Sequence, residues 1–393
     1  MTGNRNGVGL RHGGAMVLHT LSLIAFFAAA TAPTPLYPLY QERWGFSSFI
    51  LTVVFAVYLL PLLGTLLCLG SVSDKYGRRS VILFSLFLEI GAMGLFLSAT
   101  DVRWLIGARL LQGLATGLGS TALAAALVDA DSRMGALVNS IAPMAGMATG
   151  ALGSGFLAQY SAYPMIASFS ILLATFTLLL PWNMLSAETL TTRNHAIWLW
   201  RPRIAIPASA RGMFLRVFPL YIAAWALGGF YMALMPSLLR ALAGPTSDWM
   251  AGVAMALLTL SGAIAILFVR RKPVRFALDF GAMALCAGAA ILLAAIATKD
   301  PLVFFLGSLV AGGGFGAGFL GALNSIVPLA AVDERAGLLS AVYLTSYAAN
   351  ASIAVAGGYM AQMIGVARTA EVNIGFILVL SIIGFFASRR TNG

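Results

Sequence analysis

The chain alternates long apolar runs with short polar breaks. Runs of roughly 20 residues, enough to cross about 30 Å of hydrocarbon, fall near 14–36, 47–70, 80–99, 104–129, 135–158, 161–184, 213–236, 249–270, 276–298, 301–330, 337–362 and 372–388. Backbone polar groups with no water beside them must pair within their own run, so each run predicts a helix. The longest polar break, AETLTTRNHAIWLWRPRIAIPASARG at 187–212, divides the twelve runs six and six. This pattern predicts an all-α integral membrane protein: a first bundle over 1–186, a linker over 187–212 and a second bundle over 213–393. Basic residues precede the first run, as in a signal peptide, but the run is long and others follow, so it reads as a retained span.

The halves carry short matches in the same order. LEIGAM at 88–93 returns as LDFGAM at 278–283, DSRMG at 131–135 as DERAG at 333–337, and GFLAQ at 155–159 as GYMAQ at 358–362. Each match joins a run to the run six places later. Two parallel six-helix repeats follow, an arrangement that builds transporters with a site between the repeats near the bilayer midplane.

Composition narrows the class. The chain is 60% hydrophobic and 9% charged, whereas a soluble domain is about a quarter charged, so a soluble globule is excluded. A net charge of +11 would suggest nucleic acid in a soluble chain, but here the basic residues gather in the breaks. With both ends inside, only Arg43, Arg103, Arg240, Lys299 and Arg368 occupy outer breaks, with Arg109 inside a run, as the positive-inside rule requires. Both termini are then cytoplasmic, the expected location is the bacterial cytoplasmic membrane, and anionic lipid rather than nucleic acid is the partner of the basic breaks.

Other chemistries find little support. Cys68 and Cys286 lie in apolar runs without a CxxC or a nearby histidine, which favours neither a disulfide framework nor a metal site. His12, His19 and His195 are scattered without acidic partners, so no nucleophile, base and metal constellation marks an enzyme. The glycine-rich AGGGFGAGFLGA at 311–322 lacks the lysine of a phosphate loop, which rules out direct use of ATP on this chain.

The break after the second run reads GSVSDKYGRRSV, with Gly70, Asp74, Lys75, Gly77, Arg78 and Arg79. Gly70 lets two helices approach and Gly77 permits a tight turn or close backbone contact; a plain topology signal would need neither glycine nor the aspartate. In residue type, spacing and position the stretch resembles the signature loop of the major facilitator superfamily. Arg109-Leu110-Leu111-Gln112-Gly113, followed by Gly117, resembles a second signature of that family in the fourth run. With helix count, repeats and central linker, the resemblance covers nearly the whole chain.

The resemblance implies a secondary active transporter of a small organic solute that works by alternating access, as a monomer, with a proton gradient in place of any cofactor. It implies that Asp74 and Arg78 belong to a charge network latching the halves on the inner side in the outward-open state, with an acid at the inner end of the fourth run as partner. Asp129 occupies that position and Asp131 is close enough to substitute. Arg109, with Gln112, would serve proton coupling or the packing that coupling needs; snorkelling of Arg109 to the outer surface is the alternative. Exporters of the family often carry a Gly-Pro signature in the fifth run. GMATGALGSG at 146–155 keeps the glycines but has Ala151 for the proline, and its glycines fit either a bend or close packing.

The same resemblance places runs one, two, four, five, seven, eight, ten and eleven around a central cavity. Their candidates for contact with substrate are Thr31, Thr34, Tyr37, Tyr58, Asn139 with Ser140, Trp225, Tyr231, Asn324 with Ser325, Tyr343, Tyr347 and Asn350. The last three share one helix face, which either packs helices or lines the cavity. No carboxylate lies deep in these runs, so a neutral, weakly polar or anionic substrate is expected over a permanent cation. The intramembrane acids are Glu89 and its repeat mate Asp279. An unpaired charge at the depth of Glu89 costs on the order of several kcal/mol, which makes the protonated acid the cheaper form and Glu89 a candidate proton site, although run three is peripheral in this family. Sparse polarity tilts the expectation toward efflux of drugs or metabolites; import of a sugar or other metabolite shares the same features.

Overall fold

A computed structural model describes residues 12–190, 204–244 and 248–389; most of the linker, including His195, lies outside the described residues. Among those described, twelve helices are long and apolar enough to cross a membrane: Gly13–Trp44, Ser48–Cys68, Arg78–Leu97, Val102–Ala130, Ser132–Tyr160, Pro164–Leu185, Ala208–Ala233, Trp249–Val269, Val274–Thr298, Pro301–Leu329, Arg335–Ile364 and Val366–Arg389, spans 1 to 12 below. Each matches one expected run. The largest extension is in span 1, which consists of two helices, His12–Thr31 and Pro33–Trp44. The second, PTPLYPLYQERW, is too polar to read as an apolar run, yet most of its first two turns are buried against neighbours.

Polar residues at the breaks set the helix starts. Ser47, Asp101, Asp131 and Asp300 each accept hydrogen bonds from backbone N–H groups of the first turn that follows, the ordinary use of short polar side chains at an N-cap. Asp131 is thus committed to the amides of Arg133 and Met134 at 2.9 and 2.8 Å. It does not substitute for Asp129.

The first half packs span 4 against spans 1, 2 and 3, with span 5 on span 1 and span 6 on span 3. The second half repeats the plan: span 10 lies on spans 7, 8 and 9, span 11 on span 7, and span 12 on spans 7 and 9. The halves meet mainly through spans 5 and 8 and through spans 2 and 11. With twelve crossings, the first and last described residues, His12 and Arg389, fall on one face of this two-bundle body, here the terminal face.

The glycines of span 5 serve close packing. A Cβ on Gly146 or Gly150 would collide with the carbonyls of Ile24 and Ala28 in span 1, and Gly155 lies against Gly252 of span 8, while Gly153 faces open space. The helix continues through the whole stretch.

Two of the three internal matches fall at equivalent places, at the starts and ends of spans 5 and 11. The third does not: Glu89 is in the middle of span 3, whereas Asp279 is in the first turns of span 9. The register of the DSRMG match sets Ile291 opposite Glu89 instead. Asp279 is therefore neither at the depth of Glu89 nor a lone acid, because Arg389 at the end of span 12 holds it through two bonds of 3.0 and 3.2 Å. At the second-half end of the linker, the Ala205 N–H donates to the Gly337 carbonyl of span 11 at 3.3 Å.

Candidate functional site

Three groupings of polar side chains stand out. The first is on the terminal face, where the helix Val72–Tyr76 ends at Gly77, with φ +96°, and span 3 begins. The Arg78 guanidinium donates to Asp74 at 2.5 Å, Ser73 at 2.6 Å and Asp129 at 3.1 Å. Its backbone N–H and that of Arg79 donate to the two oxygens of Glu188, at 2.9 and 3.2 Å. Arg79 also reaches the Met184 carbonyl in span 6. A carboxylate on the first free amides of a helix completes its unpaired donors and complements its dipole.

Glu188 is the member that the sequence left unread, since it counted only as part of the linker; an acid just after one span and facing the basic start of another was the available signal. Its carboxylate fills the space that a Cβ on Gly77 would take. Gly70, by contrast, approaches no neighbouring helix: a Cβ there would meet only the Leu66 carbonyl of its own span. Among the described residues, the hydrogen-bond and ion-pair partners of Arg78 belong to the first half or, in Glu188, to the start of the linker that follows it. The halves instead meet at the opposite face, where Arg240 pairs with Glu42 at 2.7 Å, Tyr359 lies edge-on to Phe49, and Gly358 seats Thr52.

The second grouping is buried inside the first half. Arg109 has no accessible surface, so it does not snorkel. It donates to the Ala30 carbonyl at 2.9 Å, to Gln112 Oε1 at 2.7 Å and, from Nε and Nη2, to the Tyr37 hydroxyl. The Tyr58 ring lies 5.2 Å from the guanidinium carbon. Gln112 in turn donates to the Ala29 carbonyl at 3.0 Å. The cause is Pro33: proline has no N–H to return to the carbonyl four residues back, and Gln112 supplies the missing donor. Arg109, Gln112 and Thr116 share one face of span 4, and Thr116 donates to Glu89 Oε1 at 3.0 Å. Glu89 is fully buried, and its Oε2 has no hydrogen-bond partner among the described residues. Thr116 was missed, although its spacing of seven from Arg109 marks the same helix face.

The third grouping is in the second half. Trp225 of span 7 lies 4.7 Å from the Tyr347 ring and 5.5 Å from that of Phe319. Tyr343 stands next to Tyr347, and the Asn350 amide donates to the Trp225 carbonyl at 3.2 Å.

The remaining cavity candidates are not brought to this place. The Thr31 hydroxyl is spent on its own helix and on Met147 of span 5, Thr34 lies on Met232, and Tyr231 is fully buried with its hydroxyl on Ser308 at 2.6 Å. Tyr37 is held by Arg109. Asn139 ties span 5 to the Ala124 carbonyl of span 4 at 2.9 Å. Asn324 and Ser325 line a separate cleft of about 360 Å³ in the second half, beside Asp279 and Arg389. A hydroxyl or amide in an apolar run has to find a partner when buried, so such residues join helices as readily as they meet a ligand.

Comparison with curated proteins finds no match. Solved structures resemble the chain in fold at 13% identity: a nucleoside transporter, NupG, with a TM-score of 0.73 over 96% of this chain and 100% of that one; the xylose transporter XylE from E. coli, 0.69 over 94% and 95%; and a bacterial homologue of the human lysosomal transporter Spinster, 0.73 over 98% of both. The family profile described as Major Facilitator Superfamily matches residues 20–355, so the chain belongs to the major facilitator superfamily.

Proposed function

We propose that this secondary transporter exports a small, uncharged amphipathic solute in exchange for protons. The observation that carries proton exchange is Glu89, a fully buried carboxyl with one bonded oxygen and one that has no partner among the described residues, linked through the shared face of span 4 to Arg109. A proton on the free oxygen removes a charge from an apolar site, and its loss returns a negative charge near a guanidinium whose other partners are neutral. Span 4 also holds the broken span 1, so a change at Glu89 bears on helices on both sides of it. Among the described residues the Trp225 grouping has neither an acid nor a base; the missing acid disfavours a cation and the missing base gives an anion no partner.

With the terminal face in the cytoplasm, as the distribution of basic residues supports, the sealed face is external and the arrangement is inward-facing. The cytoplasmic membrane of a bacterium, with anionic lipid around the basic breaks, is the setting this orientation fits, and a monomer suffices for the reading. Asp74, Arg78, Arg79 and Asp129, with Gly77 shaping the turn, would then close the inner side in the opposite state, when the second half swings toward them. A second reading, import of a sugar or nucleoside driven by protons, is favoured by the names of two structural neighbours, a xylose transporter and a nucleoside transporter.

The test is flux of a compound panel in proteoliposomes with an imposed pH gradient. Accumulation should collapse with a protonophore, and Glu89→Gln should fold and bind normally yet lose gradient-driven accumulation. Flux indifferent to the protonophore would overturn proton coupling, and the side of the membrane on which substrate accumulates decides between export and import.

A further inference from the structure

Three polar atoms on the contact of spans 7 and 11 lack a hydrogen-bond partner among the described residues: Trp225 Nε1, Ser346 Oγ and Asn350 Oδ1. Buried polar atoms are seldom left unpaired, and three at one place form a pattern. Tyr343, Ser346, Tyr347 and Asn350 share one face of span 11, and Trp225 packs edge-to-face on Tyr347 of that face. Asn350 is not free to turn and satisfy itself. Its Nδ2 is fixed on the Trp225 carbonyl and sits above Gly228, where a Cβ would press on it, so Oδ1 keeps its direction.

The rings of Trp225, Tyr347 and Phe319 are partly accessible, while the polar atoms between them are covered. Among the described residues, spans 7, 10 and 11 contain no acid, and Arg216, the deepest cation of span 7, lies about two and a half turns before Trp225. The patch therefore offers aromatic faces, the indole N–H of Trp225, the amide carbonyl of Asn350 and the hydroxyls of Ser346, Tyr343 and Tyr347, with no charged side chain among them.

We propose that this patch recognises the transported solute, and that the solute is an uncharged planar heteroaromatic molecule with at least one acceptor and one donor on its rim. Binding parts the contact of spans 7 and 11 enough to uncover these atoms: the ring lies against Trp225 and Tyr347, its acceptor takes the Trp225 N–H, and its donor meets Asn350 Oδ1. The inference rests on the transporter reading above but not on proton coupling or direction.

The experiment measures equilibrium binding to the full chain in lipid nanodiscs without a gradient. The probes are 2-quinolone, which has adjacent N–H and carbonyl groups, N-methyl-2-quinolone, which lacks the donor, the N-methylquinolinium cation and the quinoline-2-carboxylate anion. The expected result is saturable binding of 2-quinolone, about tenfold weaker binding of the N-methyl compound, and no saturable binding of either ion. Trp225→Phe keeps a ring but removes the N–H and should weaken 2-quinolone binding about tenfold, with Ser346→Ala weakening it less and both variants unfolding at the wild-type temperature. Unchanged affinity in both variants, tighter binding of an ion, or no binding of either neutral probe would each overturn the proposal. Flux of some other compound, unaffected by both variants, would sink the patch and leave the transporter reading intact. Saturable 2-quinolone binding with no flux under any gradient would support the patch and sink that reading.

Discussion

At the scale of single residues, the backbone break at Pro33 explains more of the first half than any charge does. Proline leaves the Ala29 carbonyl without its usual donor, and Gln112 supplies one while Arg109 takes the next carbonyl along. Gln112→Ala should therefore destabilise the protein by about 1–3 kcal/mol, the cost of a buried acceptor left unpaired. Pro33→Ala should recover part of that loss in the double variant by restoring the N–H, read as the midpoint of thermal or denaturant unfolding. The Arg109 and Gln112 pair was legible from its signature. Its partners were not, because two are backbone carbonyls, and no side-chain pattern announces a carbonyl that has lost its donor.

At the scale of elements, the helices were legible and their ends less so. Apolar runs fix where backbone must pair internally, but Pro33–Trp44 is a helix of polar and proline-rich composition that neighbours bury, and hydropathy alone stops short of it. The start of span 3 shows the same limit. Gly77 reads in the sequence as a tight turn or a close backbone contact, but nothing there names the group it contacts, Glu188, more than a hundred residues away. Gly77→Ala should cost about 1–3 kcal/mol for its positive φ alone, with the displaced Glu188 carboxylate added. Glu188→Ala in the same chain should relieve only the second part, so the double variant should remain less stable than Glu188→Ala by itself in an unfolding assay.

For the whole molecule, the count of twelve helices and the two six-helix halves followed from periodicity and repeats, but which spans face each other across the halves did not. Lipid tails are as apolar as the helix surfaces, so the driving force is close packing rather than hydrophobic contrast, and that leaves little trace in a hydropathy profile. Small residues carry it here, as where Gly252 receives the Ala151 carbonyl and Gly155. Gly252→Val should wedge spans 5 and 8 apart and shift the population away from the state sealed opposite the terminal face. Spin-label distances between the Phe49 and Tyr359 regions would report this as a longer-distance component. Glu42→Gln, which removes an exposed ion pair worth about 0–1 kcal/mol, should shift the same distribution by about fivefold at most.

Glu188 and Ala205 have a further effect, on the leash between the halves. Glu188 is knotted to the start of span 3, Leu190 donates back to it, and Ala205 is tied to span 11. Fourteen residues, 191–204, separate the two fastenings. Fully drawn out, that length reaches roughly 50 Å. Separation of the two bodies is thus bounded by the chain length between these two fastenings, and the knot on the first body sits inside the same charge cluster that would have to rearrange when the bodies swing.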